Sequence, residues 1–443
     1  MDRYKRGAIF ARIMTNSLAK LIPVLPELER IAPNNINHLM LLEAVDQIVE
    51  DAQAILPEKR SGFTYEALLY SELYCQITRL SPYKGTADLN RCWKGKEQYF
   101  QRFQKKIFTN GKRRQPIPDQ PTLSRFLQKI ENSGFSQEFA NCLLWAQFLY
   151  FKNLGEIREE VTLIADYHDE RCHRDKADPF CFGTKEGKSV HRTLAFSMIS
   201  GDLHLVIATF KIQKKQQILP LFNEIIKKFQ DANVEIKYCL LDRGFYRKDL
   251  LPALKQSRIT TIMPGRNCKD TKQKIHLWIQ DKSGRSGNLT LKVKYVKKVG
   301  WKTLRMDVVL VGKKGHTLDE VKRDFRAHKI SEQVAAKRVF PLLVIKGSSK
   351  GLRAVSGNEN YIRTLYRDRW AIEIAFRETH LIGIGNWLKS RDKRLFHFSL
   401  KCFLYNLWQI ARVKISRENP GCEALTLDEF CGRLMKNRAK SAP

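Results

Sequence analysis

The sequence lacks the short patterns that announce a disulfide framework or a common zinc finger. Its ten cysteines include no CxxC pair, and several stand inside apolar runs such as "YCLLD" and "KCFLYNLW". Scattered thiols of this kind fit a reducing compartment better than a secreted scaffold. No apolar run approaches the roughly 18 residues of a membrane-spanning helix. The N-terminal "MDRYKRGAIFARIMTNSLAK" is basic but has no clean apolar stretch or small-residue cleavage site, so no secretory leader is expected. No internal repeat or long low-complexity tract is found. Acid is scarce too: 46 Asp and Glu stand against 79 Lys and Arg, a formal net charge of +33. An excess this large, spread along the chain, predicts a polyanionic partner, nucleic acid or an anionic membrane. With no membrane segment, the expectation is a soluble, intracellular protein.

What is present divides the 443 residues into four parts, consistent with roughly 100–200 residues per domain. Residues 1–155 read as helical, with three- and four-residue apolar spacing in "HLMLLEAVDQIVEDAQAIL" and "FTYEALLYSELYCQITRL". The basic linker "NGKRRQPIPDQP" leads into the helix "TLSRFLQKIENSGF", which reads either as a DNA-reading helix or as an ordinary bundle helix. From 156 to 265 the pattern is strand, hairpin, helix, strand, helix, strand, which predicts a mixed sheet with covering helices. Residues 266–345 alternate Val, Leu and Tyr with Lys and Arg, as half-exposed antiparallel strands do. Residues 346–443 return to helices.

Two strands end in an aspartate beside a loop: "LIAD" at Asp166 and "CLLD" at Asp242. Carboxylates at neighbouring strand tips can hold Mg²⁺ through oxygen ligands. Asp at a strand end is also a common turn former or helix N-cap. A third carboxylate lies in "YRDRWAIEIAFRETH". Read as one helix, this stretch brings Tyr366, Arg369, Glu373, Arg377 and His380 within an arc of roughly 80° between apolar flanks. The stripe reads as a functional line of charge or as plain i,i+4 ion pairs.

These residues resemble the DDE insertion-sequence transposases whose signature is Tyr, Arg, Glu, Lys. "YRDRWAIEIAFRE" resembles their third motif, "LIADYHDE" their first-aspartate segment and "LLDRGFYRKDLL" their second. "FGTKEGKSVHRTLAFSMIS" and "DQPTLSRF" also resemble family segments, so the likeness spans roughly residues 115–412. The chain departs where the family has Lys seven residues after the Glu, a position held in this chain by His380. Lys is a fixed cation and neutral His is not; Lys389 or Arg391 are the candidates to replace it.

The resemblance implies an α/β fold with an RNase H-like mixed sheet, a β-rich insertion and a helical N-terminal region. It implies Asp166, Asp242 and Glu373 as catalytic residues holding two Mg²⁺ or Mn²⁺ ions. The implied DNA contacts are Tyr366, Arg369, Arg377, His380 and Arg243, with Trp301 or Trp278 stacking on a flipped base. The activity implied is DNA strand cleavage and strand transfer at terminal inverted repeats. The partner is double-stranded DNA, bound by a homodimer, with no membrane, in a prokaryotic cytoplasm at the nucleoid. Two alternatives stay open. One is a DNA-binding relative that keeps the core without the activity. The other is a zinc-containing DNA-binding protein using His168, Cys172, His173, Cys181 and His191.

Overall fold

The computed structural model describes residues 63, 65–92, 108–109, 112–113, 118–132, 135–172, 178–184, 186–265, 269–294, 301–313, 315–347, 355, 357–382, 390–418 and 425–436. The stretch "HLMLLEAVDQIVEDAQAIL" and half of the basic linker fall outside them.

β-Branched and aromatic runs build one nine-stranded mixed sheet among the described residues. Its strands are β1 (Glu160–Arg171), β2 (Cys181–Gly183), β3 (Ser189–Ser200), β4 (Leu203–Lys211), β5 (Glu235–Leu241), β6 (Thr260–Pro264), β7 (Ser286–Lys294), β8 (Trp301–Gly312) and β9 (Val339–Ile345). The central β1 buries Leu163, Ile164 and Ala165 completely, because neighbours flank it on both edges and helices cover both faces. β3 lies antiparallel to β1, and β4 antiparallel to β3 across a turn with Gly201 at φ +61°. β5 is parallel to β1, and β6 is parallel to β5. Numbered along the chain with β2 set aside, β4-β3-β1-β5-β6 runs 3-2-1-4-5. That order makes the core an RNase H-like mixed sheet flanked by helices, the expected fold class.

The alternating segment forms strands that continue this sheet. β9 pairs with β6, β8 with β9 and β7 with β8, all antiparallel. Three helices also lie there, Lys269–Ile279, Leu318–Arg326 and Glu332–Lys337. Strand alternation does not announce them; the Thr317 capping box, in which Glu320 answers the Thr317 side chain, does.

Helices α1 (Tyr65–Thr78), α2 (Pro82–Cys92), α3 (Gln120–Asn132) and α4 (Phe135–Asn153) precede the sheet, and the long Arg391–Glu418 helix follows it. That last helix docks on β4 through Asn406. Its side-chain amide accepts from Val206 N at 2.9 Å, donates to Val206 O at 2.8 Å, and donates to Gln147 Oε1 of α4 at 2.9 Å. Asn406 is fully buried and completes a strand edge that shifts register between Phe196 and Ser197. Asn406→Leu leaves those backbone groups unpaired in the interior. It is expected to cost about 2–4 kcal/mol in urea denaturation. No described helix is long and apolar enough to cross a membrane.

Candidate active site

The parallel pairing of β1 and β5 aligns Ala165 with Leu241, so Asp166 and Asp242 follow side by side. β5 ends at Leu241, but β1 runs on through Asp166 to Arg171, held by β3 alone, so Asp166 is not the strand end expected of "LIAD". Stacked rings tie β1 to the loop after β5: Tyr167 and Phe245 lie 4.7 Å apart at 4°. Asp242 stands at the N-cap of a short 3₁₀ turn, yet its side chain makes no capping bond. Capping therefore does not account for Asp242. Asp166 Oδ1 accepts its neighbour's N–H, from Tyr167 at 2.8 Å.

"YRDRWAIEIAFRETH" is not one helix. It breaks into Glu359–Arg367 and Trp370–Leu381. Around Asp368 and Arg369 the bonds run i→i−3: Arg369 N to Tyr366 O at 3.2 Å and Ile372 N to Arg369 O at 3.3 Å. This tighter 3₁₀ pitch at the junction divides the single stripe expected from an ideal helix. Ile372, Ala375, Phe376 and Thr379 bury the second helix, and Phe376 meets His168 of β1 at 5.0 Å between ring centroids.

Arg369 links the parts. Expected at a DNA phosphate, it is instead buried, donating to Asp166 Oδ2 at 2.7 Å and to Glu373 Oε1. One guanidinium thus neutralises a carboxylate from the sheet and one from the helix. Burial pushes the Asp166 carboxyl up to about 6. Arg369 opposes the rise, while Asp242 and Glu373 add to it. Asp242 and Glu373 thus both act on Asp166, and Asp166 and Glu373 share a single cation; among the described residues no three His, Cys, Asp or Glu side chains already stand as a metal-holding group. The three carboxylates are hard oxygen donors, a set that suits Mg²⁺ or Mn²⁺.

The titration of Asp166 has a sign that can be checked. The folded carboxyl holds its proton more tightly than the unfolded one. Its contribution to stability is fully present below about pH 4 and is lost as the pH rises through about 6. Between those limits the stability difference between wild type and Asp166→Asn is expected to move about 2–3 kcal/mol in the variant's favour. Metal-free denaturation at about pH 4 and about pH 8 measures it.

The other expected contacts scatter. Tyr366 is buried, and burial raises its hydroxyl well above the ordinary phenol range, which suits it poorly as a nucleophile. Arg377 and Arg243 are exposed. His380 faces His168 at 5.1 Å, and burial, His168 and Lys401 all disfavour its protonation. Arg391 lies over the Phe180 ring at 3.6 Å, beside Asp178. Trp278 is buried in the core. Lys389, His173 and the Trp301 side chain lie outside the described residues.

Sequence reasoning missed the continuation of this face. Asp166, His168, Glu170 and Cys172 recur at period two on β1, the pattern that marks one sheet face. His168 stacks on Phe398 at 4.3 Å and lies 3.7 Å from Glu170, with Lys401 buried nearby.

No protein-family model and no curated protein matches the chain. Among solved structures, a piggyBac transposase synaptic complex with hairpin DNA aligns with 94% of this chain and 84% of its own, at 12% identity and a TM-score of 0.45. A Drosophila P element transposase strand transfer complex aligns over 89% and 98%, at 11% identity and a TM-score of 0.25. Likenesses this low leave the fold to be read from the chain's own strand order.

Proposed function

We propose that the chain is a DDE transposase of the insertion-sequence type with the Tyr-Arg-Glu signature. In this reading it binds terminal inverted repeats and catalyses DNA strand cleavage and strand transfer. The observation that carries the reading is the buried Arg369 bound to both Asp166 and Glu373, with Asp242 close enough to act on Asp166. The strand order and the net charge of +33 support it independently.

Asp166, Asp242 and Glu373 would hold Mg²⁺ or Mn²⁺, two ions being expected. When bound, these supply the charge that activates the attacking oxygen and stabilises the leaving one in an in-line phosphodiester displacement. The chain's own residues set the conditions. The parallel strands β1 and β5 would hold Asp166 and Asp242 side by side. The 3₁₀ junction delivers Glu373 beside them. Arg369 balances their charge until a phosphodiester enters, and its planar fork then suits a phosphate. Tyr366 is buried beside Arg369, and the exposed Arg243 and Arg377 would meet the DNA backbone. The helical region 1–155 is assigned to DNA binding, the segment 266–345 to the insertion, and the working form to a homodimer on DNA.

The test is cleavage of a duplex carrying the inverted repeats that flank the gene. Wild-type chain with Mg²⁺ is expected to nick at the repeat end and leave a 3′-hydroxyl, and EDTA to abolish it. Binding without cleavage under any divalent ion would favour the relative that keeps the core without the activity.

A further inference from the structure

A second group of metal-type ligands lies at the far end of β1, and the function proposed above does not use it. Cys172 follows β1 and still pairs with β3, its N–H donating to Ser189 O at 2.9 Å. Cys181 of β2 lies directly opposite His191 on the other side of β3. Directly paired residues share a face, and Ser189 and His191 are two apart, so Cys172, His191 and Cys181 all stand on one face. The two thiols lean across β3 to a Sγ–Sγ distance of 3.6 Å.

The imidazole of His191 on the same face has a defined state. Its Nε2 lies 3.2 Å from Asp178 Oδ2. A carboxylate only accepts, so Nε2 carries the proton. In the neutral ring Nδ1 then keeps a lone pair, and that Nδ1 is buried with no hydrogen-bond partner. Burial favours the neutral ring, against the pull of Asp178. A metal-binding histidine is commonly prepared in this way, one nitrogen oriented by a carboxylate and the other open.

We propose that Cys172, Cys181 and His191 Nδ1 form a structural zinc site, with Asp178 orienting the imidazole. Two thiolates on tetrahedral zinc stand about 3.8 Å apart, close to the separation seen. Two thiolates and an imidazole are a borderline-soft set that suits zinc over Mg²⁺. A disulfide fits less well, because strands on either side of a third are roughly 9.5 Å apart, beyond the usual Cα spacing of a disulfide. Among the described residues no three His, Cys, Asp or Glu side chains already stand as a metal-holding group, so zinc is expected to draw the thiols and the ring together. Zinc binds thiolates, so its uptake displaces the thiol protons and is favoured by rising pH. Arg394, which bonds Arg171 O, favours the Cys172 thiolate. His168, grouped with these residues by sequence, stacks on Phe398 and takes no part. The site would staple the end of the strand carrying Asp166 to the edge strand β2.

The test is elemental analysis of the full chain purified without a polyhistidine tag or chelator. About one zinc per chain is expected. Cys181→Ser and His191→Gln are each expected to lower it about tenfold or more, while Cys142→Ser, on α4, retains it. Should a variant fail to fold, the wild type gives a second reading. Cobalt loading of the metal-free chain is expected to show thiolate-to-cobalt charge transfer and the strong visible bands of a tetrahedral site. Wild-type chain that takes up no zinc from excess, zinc retained in the Cys172→Ser/Cys181→Ser double variant, or a Cys172–Cys181 disulfide in peptide maps would each overturn the proposal.

Discussion

Asp242→Asn is expected to lower Mg²⁺-dependent strand cleavage about a thousandfold or more, about 4 kcal/mol of transition-state stabilisation. DNA binding should change little in the same variant. The separation follows from where Asp242 sits. It is at a strand tip, half-buried, and its side chain caps no helix, so neutralising it disturbs little of the fold. The positive charge that draws DNA is spread across 79 basic residues, and none of it is lost. The isosteric amide keeps the shape and removes one anionic ligand. Gel-shift titration and product gels on the same preparation read the two effects. Cleavage within a few-fold of wild type would remove Asp242 from the site.

Arg369→Gln is the second large effect, and it concerns the protein without metal. Arg369 and Asp166 have side chains only 10% and 15% exposed, so solvent screens their pair weakly. Removing the guanidinium leaves a buried carboxylate without its cation. The expected cost in the metal-free protein at neutral pH is about 3 kcal/mol. Glu373, with its side chain 53% exposed, contributes no share of that figure. Excess Mg²⁺ or Mn²⁺ should restore much of the loss, because a divalent ion can balance the same carboxylates. Arg369→Lys should rescue poorly, since a point charge cannot bridge two carboxylates as the planar fork does. Thermal melts with and without metal check it. Equal stability of the Gln variant and wild type in EDTA would mean the pair contributes nothing.

Much of this arrangement was legible in the chain. The apolar runs "LIAD" and "CLLD" read as strands ending in carboxylates, which holds for β5 before Asp242 but not for β1, whose pairing with β3 carries it on to Arg171. The hairpin was equally plain, because Gly201-Asp202 between two strand-like runs is a turn signal, and Gly201 takes the positive φ of +61° that glycine tolerates best. The role of Arg369 was not legible. Helical spacing puts it in line with Glu373, but the 3₁₀ junction that turns it inward depends on packing against β1. The helices within 266–345 were hidden for a related reason, since the apolar alternation around them is stronger than their own short amphipathic signals. The zinc ligands were visible as residue types only. Which of five His and Cys side chains meet is set by the register of β1, β2 and β3.

The central claim is that Asp166, Asp242 and Glu373 together hold divalent ions. Its most direct test counts bound Mn²⁺ by electron paramagnetic resonance on the chain bound to an uncleavable end duplex. Wild type is expected to hold about two Mn²⁺ per chain, and Asp166→Asn, Asp242→Asn and Glu373→Gln each to lose at least one. The same Mn²⁺ occupancy in wild type and all three variants would contradict it.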